Sequence, residues 1–226
     1  MSPTNSSVEL LSVNVSLPKL VPFGRSAIKT GIFKQPVNGP VAVRTMNLDG
    51  DRQADLEVHG GVDKAIYVYS HRNIEYWRQA LGRDDLGPGT FGENFTVSHL
   101  SDDAVSIGDQ LKIGTALFEV TQPRLPCYKL GIALGRVDFP KLFHREDRHG
   151  FYLRVLREGT VQAGDRILWT PAPQSITIAA FVEIYRRRRI GSEDVARIEK
   201  LRALPEAWKL WLTRRVSLAE ESQLAP

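Results

Sequence analysis

The sequence predicts a mainly β fold, barrel or sandwich, followed by a small three-helix domain. Three observations carry this. Short β-rich runs punctuated by glycine and proline fill residues 8–169, the texture changes after Thr170-Pro171-Ala172-Pro173, and three helical patterns follow. With 226 residues, 42% of them hydrophobic, the chain has ample apolar side chains for a packed core. The expected division is a β domain over residues 1–170 and a helical domain over 171–226.

The β-rich runs are, in order, residues 8–17, 41–46, 65–69, 95–97, 110–113, 116–121, 151–155 and 166–169. Val, Ile, Phe, Tyr and Trp recur in them, and such side chains fit a pleated, half-buried surface. Two turns echo one another, Ile107-Gly108-Asp109-Gln110-Leu111 and Ala163-Gly164-Asp165-Arg166-Ile167. Glycine supplies a positive φ and aspartate bonds local backbone, so each Gly-Asp pair is a turn device feeding a strand. Two helices interrupt the strands, at 72–81 and 140–145. Beyond residue 170 the helices are 176–189, a segment capped by Ser192 with Val195, Ile198 and Leu201 at three-residue spacing, and one opened by Pro205 with Trp208, Trp211 and Leu212.

Charge is nearly balanced over residues 1–174, with 20 Lys+Arg against 19 Asp+Glu, so the 10 against 7 of residues 175–226 supply most of the net +4. That mild excess falls short of the dense stripe of a dedicated nucleic-acid binder. Residues 186–189, four arginines, end a helix, where cations complement the last carbonyls; a solvated helix end and a partner or nucleic-acid contact both fit. A single cysteine excludes an intramolecular disulfide, and no Cys/His spacing of the structural zinc type occurs. No apolar run reaches the ~18 residues of a spanning helix, and residues 1–20 lack a basic segment leading into an apolar one, so the expectation is a cytoplasmic protein without a membrane partner.

Four stretches could carry chemistry. Cys127 lies in Gln122-Pro123-Arg124-Leu125-Pro126-Cys127-Tyr128-Lys129, at a strand exit stiffened by two prolines. Arg124 and Lys129 favour a thiolate, which attacks electrophiles and binds soft metals; the bland alternative is a small buried hydrophobe. The stretch from Gly24 to Lys34, with Arg25, Ser26, Lys29, Thr30 and Gly31, reads as one loop able to cradle an anion, without the Gly-Lys-Ser/Thr ending of a Walker loop. Val58-His59-Gly60-Gly61 precedes a strand, where two glycines permit close approach of a ligand and His59 can exchange a proton near neutrality; an ordinary turn also fits. In Gly87-Pro88-Gly89-Thr90-Phe91-Gly92-Glu93-Asn94, the ligand-facing candidate is Asn94. His71, His99, His144 and His149 are dispersed and read as structural or surface residues, and Asp102-Asp103 as a turn.

Together these stretches resemble the MOSC domain, the family named for the C-terminal domain of molybdenum-cofactor sulfurase, and most closely its bacterial YiiM subgroup. The resemblance rests on Leu11-Ser12-Val13-Asn14-Val15, Gly31-Ile32-Phe33-Lys34-Gln35-Pro36-Val37, Asp49-Gly50-Asp51-Arg52-Gln53-Ala54-Asp55, Val58-His59-Gly60-Gly61, Phe91-Gly92-Glu93-Asn94, the cysteine segment and Gly150-Phe151-Tyr152, in order along nearly the whole chain. It implies a barrel-like core that binds the molybdenum cofactor (molybdopterin), with Cys127 as thiolate ligand to the metal and as the catalytic residue. Cofactor contacts carried over to this chain are Lys29, Thr30, Lys34, His59, Gly60, Gly61, Asn94 and Arg124; two residues separate Arg124 from Cys127, a spacing that departs somewhat from related members. The implied reaction is reductive removal of oxygen from N-hydroxylated compounds, hydroxylaminopurine bases among them. Without a flavin or nicotinamide fingerprint or cysteines for an iron–sulfur cluster, the electrons must come from a separate reductase. A Cys127 persulfide that hands on sulfur, and a non-catalytic module binding an anion or a partner, are the competing readings. Monomer and homodimer both remain open.

Overall fold

The computed structural model describes residues 7–54, 60–173 and 175–224, with side chains of the last helix as far as Arg215. Twelve strands occur among the described residues: β1 (Leu10–Val15), β2 (Lys19–Phe23), β3 (Ser26–Thr30), β4 (Gln35–Val37), β5 (Val41–Val43), β6 (Ile66–Ser70), β7 (Phe95–Val97), β8 (Gln110–Ile113), β9 (Ala116–Pro123), β10 (Phe151–Arg157), β11 (Gly159–Val161) and β12 (Ile167–Thr170). Eight form one sheet in the order β12-β8-β9-β10-β6-β7-β1-β4, antiparallel except between β6 and β7. Its far members meet: Glu9 bridges Arg166, Leu10 N–H donates to the Asp165 carbonyl (2.9 Å), and Gly164 N–H donates to the Leu10 carbonyl (2.8 Å). The start of β1 thereby pairs with the start of β12 and curls the sheet into a barrel rather than a sandwich, with β4 left as an edge paired only with β1.

Alternation fills the barrel. Phe118 and Val120 on β9 and Phe151 and Leu153 on β10 point inward, as the two-residue period of a strand requires, and Phe95 meets Phe118 edge-on at 5.6 Å between ring centres. β6 is buried on both faces. Ile66 and Val68 face the barrel core, while Tyr67 and Tyr69 join Trp77, Phe91, Phe139 and Phe143 in a second, aromatic cluster under helices α1 (His71–Leu81) and α3 (Phe139–Arg145). Between them in sequence lies α2 (Tyr128–Ala133).

The last three helices are α4 (Ile178–Arg186), α5 (Ser192–Glu199) and α6 (Glu206–Leu224). Thr177 starts α4 by accepting from Ala180 N–H (3.2 Å). Phe181, Ile184, Ile198, Leu204 and Leu212 join the same apolar cluster as the barrel, so the helices and the barrel share a core. Arg186 pairs with Asp147 (2.7 Å) and donates to the His144 carbonyl, and Arg187 pairs with Glu183 and Asp194; half of the arginine run is spent tying the helix down.

One expectation is corrected and one element is added. The stretch read as one loop from Gly24 to Lys34 contains β3, which pairs with β2 in a separate two-stranded hairpin turning at Gly24 (φ +60°). Pro22 argues against a strand in the sequence, yet β2 pairs on one side only, so the missing N–H leaves no ladder gap. The short helix α2 went unpredicted, because six residues interrupted by Gly131 give too little periodicity to read. No helix among the described residues is long and apolar enough to cross a membrane.

Candidate functional site

The site grows from the end of β9. After Pro123 the chain leaves the sheet through Arg124, Leu125 and Pro126, and Cys127 takes the position that starts α2, with extended backbone (φ −130°, ψ 167°) and a half-buried side chain. The exit is pinned, since Arg124 N–H donates to the Gly150 carbonyl (3.1 Å) at the start of β10. Prolines on either side of the exit limit the backbone further.

Arg124 is only 5% exposed. Its guanidinium lies over the rings of Tyr67 (5.5 Å) and Phe143 (5.7 Å) and donates to the Leu125 carbonyl (3.2 Å); no carboxylate among the described residues pairs with it. Burial works against its charge, but the fields of Tyr67, Tyr152 and Cys127 outweigh that and hold it above the usual arginine value. Burial pushes the Tyr152 phenol up, with Arg124 opposing and Cys127 adding to the shift. Thiol, guanidinium and phenol therefore sit within one another's electrostatic reach.

Across the pocket, Lys34 is 8% exposed and its Nζ lies 2.5 Å from Asp51 Oδ1. Burial pulls the amine below the usual lysine value, against the pull of Asp51. Asp51 also accepts from Ser16 N–H (2.8 Å) and from Asn94 Nδ2 (2.9 Å). Asn94 in turn accepts from Tyr67 N–H (3.1 Å) and donates to the Asn14 carbonyl (3.3 Å), so its amide is committed to holding β1, β6 and Asp51 together. Behind it Glu93 is fully buried and pushed up to about 7 by desolvation, although Gly89 N–H, Phe91 N–H and Thr96 Oγ1 all donate to it.

One pocket collects Thr30, Lys34, Asn94, Arg124 and Cys127 from the sequence-predicted residues. Lys29 does not line it; alternation along β3 turns that side chain outward and exposed. Gly60 and Gly61 do not line it either, and Gly61 (φ +94°) instead donates its N–H to Gln53 Oε1 (2.8 Å), fixing a side chain that does. His59 lies outside the described residues. Residues without an assigned role in the sequence reading complete the wall: Tyr67, Phe91 and Tyr152 supply aromatic surface, and Arg52 and Lys64 further charge. The motif Asp49-Gly50-Asp51-Arg52-Gln53 was the signal for Asp51 and Gln53; nothing local marks Tyr67, which reads as an ordinary strand aromatic. Among the described lining residues Lys34, Arg52, Lys64, Arg124 and Lys129 face one carboxylate, Asp51, which Lys34 engages. Among the described residues no cluster of three or more His, Cys, Asp or Glu could hold a bare metal ion, so a metal here would rely on Cys127 and on donors brought by its own cofactor.

The MOSC domain family model matches residues 55–168. YflK of Bacillus subtilis (strain 168) is 35% identical over 88% of this chain and 90% of its own. A protein of Gibberella moniliformis (strain M3125 / FGSC 7600) named "Reductase" is 31% identical over 92% of this chain but only 40% of its own. The crystal structure of YiiM from Geobacillus stearothermophilus superimposes with a TM-score of 0.78 at 33% identity, covering 92% of this chain and 99% of that one.

Proposed function

This chain belongs to the MOSC domain family, which is associated with the molybdenum cofactor, and from that premise we propose that it is a cofactor-dependent oxidoreductase reducing N-hydroxylated compounds, such as 6-N-hydroxylaminopurine, to amines. The observation that carries the reading is the pairing of a fixed thiol, Cys127, with a buried guanidinium lacking a described carboxylate partner, Arg124, on the wall of a pocket rich in cations. The donor set fits the group: thiolate is a soft ligand suited to molybdenum, and the cations suit a phosphate-bearing pterin. The relative named "Reductase" supports the redox class.

In this reading the bound cofactor supplies the electron-transfer chemistry. Cys127 would hold the metal, with the buried Arg124 guanidinium beside it. Thr30 and Lys34 would contact the cofactor, and half-buried Tyr152, backed by the buried rings of Tyr67 and Phe91, would offer aromatic surface to a purine. Cleaving the N–O bond consumes two electrons and two protons and releases water, and the electrons come from a separate reductase.

The test compares wild type with Cys127→Ser, purified from a host that makes the cofactor, for molybdenum and pterin content. Near-stoichiometric cofactor in wild type and little in the variant is expected, with equal melting temperatures for the two proteins once both are stripped of cofactor. Cofactor-free wild type that stays empty after reconstitution in vitro would sink the reading and turn attention to a Cys127 persulfide.

A further inference from the structure

We propose that the outer face of the β2–β3 hairpin is the docking surface for an acidic electron-donor protein. This rests on the reductase reading and adds the place and chemistry of its partner. Register sorts the hairpin into two faces. Leu20 opposes Lys29 and Pro22 opposes Ala27, and all four are exposed, Leu20 to 72%; on the other face Val21, Ile28 and Thr30 are half-buried or buried, while Lys19, Phe23 and Ser26 at its ends are exposed. The hairpin is a separate two-stranded sheet packed on its inner face only, and an exposed strand face made of Leu, Pro and Ala is the kind of apolar surface that marks an interaction site.

Its position ties it to the pocket at both ends. The base runs through Thr30, Gly31 and Ile32, which line the pocket, and the tip sets Phe23 against Tyr128, at 5.1 Å between ring centres. Phe23 belongs to the inner face, opposite Leu20 and Pro22, and Tyr128, 48% exposed, follows Cys127 directly, so the tip of the hairpin, not its outer face, reaches the cysteine's neighbour. A protein seated here lies at the mouth of the pocket.

Charge selects the partner. From Leu10 to Leu48 the chain carries five cations and no carboxylate, and from Val120 to Val137 three cations and none. Of these, Arg25 at the turn and Lys29 on the outer face are exposed, while Lys19, also exposed, lies on the inner face with its Nζ over the Phe33 ring (4.5 Å). An apolar centre ringed by cations matches a partner with acidic residues around an apolar contact, and opposite fields also speed encounter.

The experiment drives 6-N-hydroxylaminopurine reduction by the holoprotein in two ways, with reduced methyl viologen and with NADPH plus clarified extract of the organism that encodes the chain. The variants are Leu20→Asp and Arg25→Glu, both at exposed positions. Each is expected to lower extract-driven turnover by about tenfold at low salt, with viologen-driven turnover and cofactor content unchanged, and the Arg25→Glu deficit is expected to shrink as salt screens the charges. Unchanged extract-driven turnover in both variants overturns the proposal, as does extract that fails to support wild type while viologen succeeds. A variant that turns a wild-type dimer into a monomer assigns the face to a second copy and overturns it too. Loss of viologen-driven turnover in wild type overturns the reductase reading instead.

Discussion

Replacing Asp51 by Asn tests whether the pocket wall depends on its buried ion pair. Asp51 is 2% exposed and receives Lys34 Nζ at 2.5 Å, Ser16 N–H at 2.8 Å and Asn94 Nδ2 at 2.9 Å. Removing the charge strands an ammonium that burial already disfavours, and breaking one partner of such a pair costs about 3–5 kcal/mol. For a chain of this size that corresponds to a fall of roughly 6–20 °C in melting temperature. Urea titration and thermal melts of wild type, Asp51→Asn, Lys34→Met and the double variant measure it. The double variant removes both charges and should lose less than the two singles together, by about 0.5–3 kcal/mol of coupling. A single-variant loss under about 1 kcal/mol, or strict additivity of the two, would refute the argument that Asp51 and Lys34 act as a unit.

Two further outcomes follow from buried groups around β10. His149 and Asp102 stand 3.9 Å apart, but desolvation first, then Arg186, His144 and Arg124, lower the histidine to about 3, so at neutral pH it is uncharged and the contact is no ion pair. A folded value below the ordinary 6.5 means stability that is complete above pH 6.5 and lost as pH falls toward 3, by at most about 5 kcal/mol; in urea titrations across that range His149→Gln should lose less than wild type, and equal slopes would count against it. Asp102, pushed up to about 7 by burial, acts oppositely between about pH 4 and 7, and because it lies beside His149, Asp102→Asn and the double variant are needed to separate the two contributions. Gly150→Ala should destabilise by about 2–5 kcal/mol, because φ is +68° and an added Cβ would lie 2.4 Å from the Val68 carbonyl oxygen; a denaturation midpoint within error of wild type would refute this.

The strands were legible where alternation is strong and less so where tertiary pairing overrides local chemistry. Residues 95–97 and 110–113 match β7 and β8 to the residue, because turn signals bracket them. β4 and β11, three residues each, take their extended form from partners β1 and β5, which no local pattern announces. Cys127 stood out because it is unique, and Arg124 because it is two residues before a proline-cysteine pair. Lys29 misled for a physical reason: a glycine-and-cation stretch reads as an anion loop, whereas hairpin alternation sends Thr30 into the pocket and Lys29 to solvent. Asn94 was read as ligand-facing, yet its donor and acceptor are occupied by Asp51, Asn14 and Tyr67; it borders the pocket chiefly as the brace of that wall. His149, read among structural or surface residues, is 1% exposed in the interior.

The two roles open to Cys127 ask opposite things of its backbone. A persulfide carrier must move its sulfur from donor to acceptor, so it benefits from a loop that swings. A metal ligand must stay where the metal is, and any freedom it keeps reduces affinity by the entropy needed to fix it. Here β9 reaches Pro123, Arg124 is bonded to Gly150, Pro126 fixes the next φ, and α2 begins immediately after the cysteine, closed by the bond from Leu130 N–H to the Cys127 carbonyl at 3.0 Å. These restraints act on the stretch from Pro123 to Leu130, and the buried Arg124 guanidinium brings a positive charge into the same stretch. Fixation and charge together therefore favour the ligand role over the carrier role, independently of which N-hydroxylated compound the pocket takes.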